Sequence, residues 1–197
     1  MNDLHWLDPW LPLLAQQAAG RPLLELGCGS GLDTATLLQA GHAVTALDLD
    51  AAAVAQARDR APAARLLCQD LRAPWPAPPG DAPAYGAVIA SLSLHYFPWP
   101  ETEALAQRVH DSLAPGGLLL CRLNSTRDTH YGATGHPEIA PHYYRVDGAP
   151  KRFFDEADVQ RLFGHAGWHW LALDEVTIDR YEHPKLAWQL VAQKPPR

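Results

Sequence analysis

Short apolar segments alternate with helical ones over residues 22–123, and this alternation restricts the fold more than any other feature of the sequence. Fully apolar strands that alternate with helices form right-handed βαβ units, in which helices cover both faces of a parallel sheet. The sequence therefore predicts an α/β fold. The predicted strands are 22–26, 43–47, 64–68, 87–91 and 118–123, and the predicted helices are 32–40, 51–61 and 101–113.

Three other regions depart from this alternation. Residues 1–20 have apolar side chains at three- and four-residue spacing, which predicts an N-terminal helix. Residues 124–152 are rich in Gly, Pro, His and Tyr without a clear period, and they are predicted to be an inserted loop region. The sequence is predicted to form one domain over residues 1–197. At its end, a helix at 155–166 precedes an antiparallel strand pair at 168–178 and 186–191.

Charge and cysteine content exclude several classes of protein. The net charge is -6 and the chain has no run of Lys or Arg, so a nucleic-acid partner is not expected. Neither a signal peptide nor an apolar stretch long enough to cross a bilayer is visible. The three widely spaced cysteines indicate buried thiols in a reducing compartment. We therefore expect a cytoplasmic protein that makes no membrane contact.

A glycine-rich turn connects the first predicted strand to the first predicted helix. Residues 25–31 read Glu-Leu-Gly-Cys-Gly-Ser-Gly, and glycines allow the backbone to turn sharply and approach a ligand. Ligands of open α/β sheets bind at the carboxyl ends of the strands, where this turn lies. The dinucleotide fingerprint requires Gly or Ala at position 32, and this chain has Leu32. The turn therefore favours a nucleotide-like ligand other than a dinucleotide.

Acidic residues stand at the ends of three successive predicted strands. Glu25 ends the first, Asp48 ends the second, and Asp70 follows the third. A carboxylate at position 48 can accept hydrogen bonds from ribose hydroxyls, and one at position 70 can accept from an adenine amino group. An acidic rim suits a ligand with an ammonium and a sulfonium group and disfavours a pyrophosphate.

The ordered segments LLELGCGSG, ALDLD, CQDL, AVIASLSLHYF and LAPGGLLLCRLN resemble the motif series of class I (Rossmann-like) S-adenosylmethionine-dependent methyltransferases of the small-molecule type. The resemblance implies a three-layer fold with a seven-stranded, mostly parallel sheet. Its strand order is 3-2-1-4-5-7-6, with strand 7 antiparallel. It also implies S-adenosyl-L-methionine as cofactor and S-adenosyl-L-homocysteine as product.

The same resemblance implies roles for individual residues around the cofactor. Gly27 and Gly29 would line its methionine part, Glu25 would face the ammonium group, and Asp48 would hold the ribose. The other expected contacts are Leu49 against the adenine, Asp70 and Leu71 at the adenine edge, Ser91 near the methionine end, and Cys28 and Gly31 within the turn.

The sequence defines the binding site of the methyl acceptor less well than the cofactor site. Residues 91–97, Ser-Leu-Ser-Leu-His-Tyr-Phe, lack the Asp/Asn-Pro-Pro-aromatic motif of amino-group methyltransferases that act on DNA, which favours a small-molecule acceptor. His95 and Tyr96 are the candidate catalytic residues, and the alternative is that they only pack beneath the cofactor. A general base is needed only when the acceptor holds a proton of high pKa.

Polar and aromatic residues of the insertion are predicted to form part of the acceptor pocket. They are Arg127, His130, Tyr131, Tyr143 and Tyr144, and each could instead belong to a solvated loop. His130, His136 and His142 could in principle bind a metal, but their spacing matches no zinc pattern, so no metal site is predicted.

Two alternatives remain besides a methyltransferase with a small-molecule acceptor. One is a nicotinamide-dependent oxidoreductase on a similar fold, which Leu32 and the acidic strand ends disfavour. The other is a non-catalytic module that binds S-adenosylmethionine. The sequence leaves the acceptor and the oligomeric state open.

Overall fold

The computed structural model describes residues 5–164, 167–179 and 181–196. Parts of two predicted helices, residues 1–4 and 165–166, lie outside these ranges. The chain divides into two compact units, one formed by residues 1–89, 112–118 and 196–197 and the other by residues 90–111 and 119–195. The single domain over residues 1–197 stays a prediction.

A seven-stranded sheet has the order β3-β2-β1-β4-β5-β10-β9, which confirms the predicted 3-2-1-4-5-7-6 order once the three strands of the insertion are left out of the numbering. The last two strands pair antiparallel, as predicted. The seven strands are β1 Leu23–Leu26, β2 Val44–Asp48, β3 Arg65–Cys68, β4 Tyr85–Ser91, β5 Leu113–Asn124, β9 His169–Ile178 and β10 Lys185–Gln193.

The described elements also include five α-helices and three 3₁₀ turns. The helices are α1 Leu11–Gln17, α2 Leu32–Gln39, α3 Ala51–Arg60, α4 Trp99–Ser112 and α5 Glu156–Phe163, and the 3₁₀ turns are Asp8–Trp10, Leu94–Tyr96 and Thr129–Tyr131. None of these helices is long and apolar enough to cross a membrane.

Local sequence explains the elements of the first unit. All four residues of β1 are buried, as expected of a central parallel strand. Asp50 caps α3 by accepting a hydrogen bond from the Ala52 amide at 2.8 Å. Gly41, with φ of 87°, follows the end of α2 as a left-handed residue, a position that favours glycine. The local sequence thereby determines where these elements begin and end.

The N-terminal segment differs from the predicted continuous helix over residues 1–20. A 3₁₀ turn at Asp8–Trp10 precedes the seven-residue helix α1. Pro9 and Pro12 explain the difference, because proline lacks an amide donor and is tolerated only in the first turn of a helix. The end of α1 packs on β4, since a Cβ on Gly86 would lie 2.7 Å from the Cβ of Ala18.

The fifth strand begins earlier than predicted. Helix α4 ends at Ser112 and β5 starts at Leu113, whereas a helix to residue 113 and a strand at 118–123 were expected. Gly116, with φ of 77°, and Gly117 therefore lie within the strand. A Cβ on Gly117 would lie 2.8 Å from the carbonyl oxygen of Ala114 and 3.1 Å from that of Gly86. The glycine is needed for close backbone approach.

The insertion (residues 124–152) is not the loop that was predicted. It contains a three-stranded antiparallel sheet in the order β6-β7-β8. Asp147 and Gly148 join β7 to β8, and their φ values of 50° and 83° suit a two-residue hairpin turn. Val146 and Phe153 form a small buried cluster with Ala133. The strands are β6 Glu138–Ala140, β7 Tyr143–Val146 and β8 Ala149–Arg152.

Candidate functional site

The glycine turn (Glu25–Gly31) lies at the carboxyl end of β1 in the first unit. Gly27, Gly29 and Gly31 have φ of 74°, 51° and 80°, values that favour glycine. A Cβ on Gly31 would lie 2.9 Å from the Cβ of Ala57, so this glycine lets α3 pack closely against the turn. At Gly29 an added Cβ would meet nothing within 4 Å, which leaves open space beside the backbone.

Asp48 connects the end of β2 to the glycine turn. Its Oδ2 accepts a hydrogen bond from the Gly29 amide at 2.7 Å, and its Oδ1 accepts one from the Asp50 amide at 2.9 Å. A carboxylate has about four acceptor sites, so capacity remains for ligand hydroxyls. The next side chain, Leu49, is 67% exposed. Ribose binding by Asp48 and adenine contact by Leu49 stay predictions.

Glu25 is a buried acid beneath the turn, with only 2% of its surface exposed. The Thr34 hydroxyl donates a hydrogen bond to its Oε2 at 2.5 Å. Burial, together with the nearby carboxylates of Asp33 and Asp48, raises the pKa of Glu25 to about 8, although the hydrogen bond from Thr34 acts to lower it. The carboxyl group is therefore mostly protonated at neutral pH. A cation placed beside it would favour its ionised form.

Asp33 attaches the N-terminal segment to the helix that follows the turn. Its Oδ2 accepts a hydrogen bond from the Trp6 indole nitrogen at 2.9 Å, and its Oδ1 lies 3.0 Å from the His5 Nε2. The sequence gave no reason to select Asp33 or Thr34. Both lie on the first turn of α2, directly after the glycines, and this position is the feature of the sequence that could have indicated them.

Asp70 and Leu71, the predicted adenine contacts, have partners within the protein. Arg72 lies over the Asp70 carboxylate with its η2 nitrogen 2.7 Å from Oδ2 and its ε nitrogen 3.0 Å from Oδ1. These hydrogen bonds lower the pKa of Asp70. The Leu71 carbonyl accepts from the Trp75 indole nitrogen at 2.9 Å. An adenine amino group would have to share Asp70 with Arg72, so this contact stays a prediction.

Cys28 occupies the centre of the turn without nucleophilic character. Burial raises the pKa of its thiol to about 12, and the carboxylates of Glu25 and Asp48 contribute. A thiol with so high a pKa is almost never a thiolate at neutral pH. Cys28 therefore acts as a small apolar side chain, as its sequence context indicated.

Ser91 ends β4 and makes its contact within the second unit. The ε and η2 nitrogens of Arg122 donate to its Oγ at 3.0 and 2.9 Å. Arg122 is buried, and the sequence gave no sign of it beyond a single charge inside an apolar strand. Leu92, next to Ser91, has φ of 58°, an uncommon conformation for a branched residue. A place for Ser91 near the cofactor stays a prediction.

His95 is a buried imidazole, 2% exposed, and neither ring nitrogen has a hydrogen-bond partner among the described residues. Burial and then the charges of Lys151 and Lys185 hold its pKa well below the usual 6.5. His95 is therefore neutral at physiological pH. Tyr96 is 47% exposed and its ring centroid lies 4.2 Å from that of His95. A catalytic role for either residue stays a prediction.

The insertion residues predicted for the acceptor pocket fall into separate groups. Tyr143 is buried and donates its hydroxyl to the Tyr96 carbonyl at 3.2 Å. Tyr144 packs instead against the small cluster around Phe153. Because these two side chains alternate along β7, only Tyr143 contacts the segment that contains His95.

The other three predicted residues lie near the ends of β9 and β10. Arg127 forms an ion pair with Glu175, His130 stacks on His183 with centroids 4.8 Å apart, and the Tyr131 hydroxyl donates to the His183 carbonyl at 2.9 Å. Their side chains are held by protein partners, and their contact with an acceptor stays a prediction.

Besides Arg122, three other cations in the second unit were missed by sequence reasoning. Arg152 is buried with its guanidinium carbon 4.5 Å from the Tyr143 ring centroid and 5.2 Å from that of Trp99. The other two, Lys151 and Lys185, are the lysine pair that lowers the pKa of His95. Lys151 stands 34 positions from Lys185 in the sequence, so spacing could not have indicated the pair.

A histidine and two acids meet at the start of α5. His142 Nδ1 lies 2.7 Å from Asp158 Oδ2, and Asp155 is close to both. His130 and His136 belong to no such group among the described residues. Asp155 and Asp158 form the capping box of α5, and this accounts for their positions without a metal. The prediction of no metal site stays a prediction.

Residues 23–117 match a family model described as a methyltransferase domain. The trans-aconitate 2-methyltransferase of Delftia acidovorans is 37% identical over 112 residues, and the match covers 56% of this chain and 40% of that protein. The chain thus spans less than half the length of the curated relative that it matches.

Solved structures resemble most of the chain. A methyltransferase of Methanosarcina mazei matches with a TM-score of 0.72 at 16% identity, covering 94% of this chain and 98% of the other. The 1,6-didemethyltoxoflavin-N1-methyltransferase of Burkholderia thailandensis, solved with S-adenosylhomocysteine, matches with a TM-score of 0.67 at 22% identity, covering 96% and 78%. These likenesses confirm the predicted fold, and the family model confirms the predicted resemblance.

Proposed function

We propose that this chain, which belongs to the class I S-adenosylmethionine-dependent methyltransferases, transfers a methyl group from that cofactor to a small-molecule acceptor. The observation that supports this most directly is the link between the glycine turn and the end of β2. The Gly29 amide donates to Asp48 at 2.7 Å, beside open space that a side chain at position 29 would fill.

The residues of the first unit fit the chemistry of the cofactor. S-adenosylmethionine has an ammonium and a sulfonium group, and the carboxyl groups of Asp33 and Asp48 lie close enough to Glu25 to raise its pKa. A bound cation would relieve that repulsion. We propose that Glu25 faces the ammonium group, that Asp48 binds the ribose hydroxyls and that Leu49 contacts the adenine. Gly27, Gly29 and Gly31 provide the backbone surface.

When bound, the cofactor supplies a methyl group on positively charged sulfur, and a neutral thioether is the leaving group. The protein then has to bind, orient and exclude water, and these effects alone can lower the barrier by about 7–11 kcal/mol. His95 is a poor general base, because its low pKa leaves it weakly basic. We propose that it donates a hydrogen bond to the acceptor instead.

The acceptor is proposed to be a small molecule bound by residues of the second unit, with Tyr96 and Tyr143 at its binding site. The name of the Delftia relative makes trans-aconitate the first compound to assay. The cytoplasm is the proposed location, because Cys28, Cys68 and Cys121 are all free thiols. Neither a nucleic acid nor a membrane is part of this proposal.

Thermal unfolding, measured in parallel with each of several ligands, tests the proposal. At 100 times its dissociation constant, S-adenosylhomocysteine or S-adenosylmethionine should stabilise the protein by about 2.7 kcal/mol, whereas NAD should have no effect. Stabilisation by NAD alone would favour an oxidoreductase. Tight binding of S-adenosylhomocysteine with no methyl transfer to any small acid, amine, thiol or hydroxyl compound would favour the non-catalytic module.

A further inference from the structure

We propose that Lys151 binds a carboxylate group of the methyl acceptor, and hence that the acceptor is a small organic acid. This inference rests on the proposed function, because it assigns the substrate class of the same enzyme. The observations that support it are the lysine pair, the unpartnered imidazole of His95 and the charges that surround them.

Of the two lysines, Lys185 has an ion-pair partner among the described residues. Lys185 is buried, and its Nζ lies 2.8 Å from Asp128 Oδ2. Asp128 Oδ1 also accepts from the Leu186 amide at 3.2 Å. Asp128 is therefore in direct contact with Lys185, whereas its charge acts on Lys151 from a greater distance.

Lys151 lacks such a partner. It is partly buried in β8, and its Nζ donates to the Tyr131 carbonyl at 3.1 Å. No carboxylate among the described residues lies within ion-pair distance of it, although the charges of Asp128 and Asp147 reach it. An ammonium has three donors, so donors remain for a ligand. Charges removed from water are stable only when they are paired, and an anion would pair this one.

His95 is a second, independent sign of a ligand. Strand β8, which contains Lys151, packs against the Leu94–Tyr96 turn. Both ring nitrogens of His95 are buried without a partner in the described parts of the chain. A buried polar group without a hydrogen bond costs about 1–3 kcal/mol, so a bound group that supplies one is favoured. A neutral imidazole offers one donor, which suits a carboxylate oxygen.

The other charged groups nearby have partners of their own. Arg152, the neighbour of Lys151 on β8, lies against the rings of Tyr143 and Trp99, and its Nε is 3.4 Å from the Phe97 carbonyl. The excess charge around His95 is therefore positive. A carboxylic acid is ionised at neutral pH and needs no general base to accept a methyl group, which agrees with the weak basicity of His95.

The experiment titrates probe anions into protein saturated with S-adenosylhomocysteine. The probes are citrate, succinate and inorganic phosphate, and the variants are Lys151→Met, Lys151→Arg and Lys194→Met. Lys194, whose Nζ donates to the His110 carbonyl, is the matched control because its charge is not among those acting on His95. We expect the dissociation constant of a carboxylate probe to rise at least tenfold in Lys151→Met only. Lys151→Arg should keep most of the affinity.

Several results would overturn the proposal. The first is that Lys151→Met and wild type bind the carboxylate probes equally well. The second is that Lys194→Met loses as much carboxylate affinity as Lys151→Met. The third is that wild type binds phosphate but neither citrate nor succinate. A loss of S-adenosylhomocysteine affinity in Lys151→Met would assign the lysine to the cofactor instead. Repeating the acid titration without S-adenosylhomocysteine separates the two claims. If the cofactor product does not bind wild type, the proposed function fails, while the acids still report on Lys151.

Discussion

The glycine turn of the first unit and the lysine pair of the second unit have opposite charge but the same design. In each region, one buried ionisable group lies near side chains that have the charge the group itself would have when ionised. Burial and then the nearby carboxylates raise the pKa of Glu25, and burial and then the ammonium groups lower the pKa of His95, so both are mostly neutral near pH 7. A group held neutral in this way becomes charged or gains a hydrogen bond most easily when a ligand of the opposite charge binds. We therefore expect a cation at the first and an anion at the second.

The largest expected effect comes from removing the acid that connects the turn to β2. Asp48→Ala should weaken S-adenosylhomocysteine binding by roughly a hundredfold, about 2.7 kcal/mol, because charge-assisted hydrogen bonds to ribose are lost. Titration calorimetry measures this change. Asp59→Ala removes an exposed carboxylate from α3 and is the control. Equal affinity in Asp48→Ala and Asp59→Ala would remove Asp48 from the binding site.

The turn can be disrupted without changing its charge. Gly31→Ala places a Cβ 2.9 Å from that of Ala57, whereas Gly41→Ala meets nothing within 4 Å although its φ is also positive. Both pay the left-handed backbone cost, so their difference isolates the contact. We expect Gly31→Ala to lose about 1–2 kcal/mol more unfolding free energy in urea. Equal losses would show that α3 moves away freely.

The smallest expected effect concerns the pH dependence that Glu25 gives to stability. A raised pKa means that its contribution is complete below about pH 4.5 and is lost as the pH rises through about 8. Glu25→Gln should therefore flatten the fall in unfolding free energy between pH 6 and 8, where wild type loses up to about 1 kcal/mol per pH unit. Parallel curves for the two proteins would mean that Glu25 is ionised in the folded state.

The same two regions show how far sequence reasoning extends. The glycine turn, Asp48 and Asp50 could be predicted because their geometry depends on neighbouring residues and on strand ends. The lysine pair could not, because Lys151 and Lys185 come together only through the packing of distant strands. The β7–β8 hairpin is an intermediate case, since Asp147-Gly148 is a strong turn signal that the irregular composition of the insertion obscured.

Proton release on binding S-adenosylmethionine tests the central claim most directly. The claim is that a cationic cofactor binds beside the protonated Glu25 of the glycine turn. Titration calorimetry near pH 7, in two buffers that differ in ionisation enthalpy, should show saturable binding with release of close to one proton, and Glu25→Gln should release almost none. Absence of binding, or binding with the same proton release in both proteins, would contradict the account.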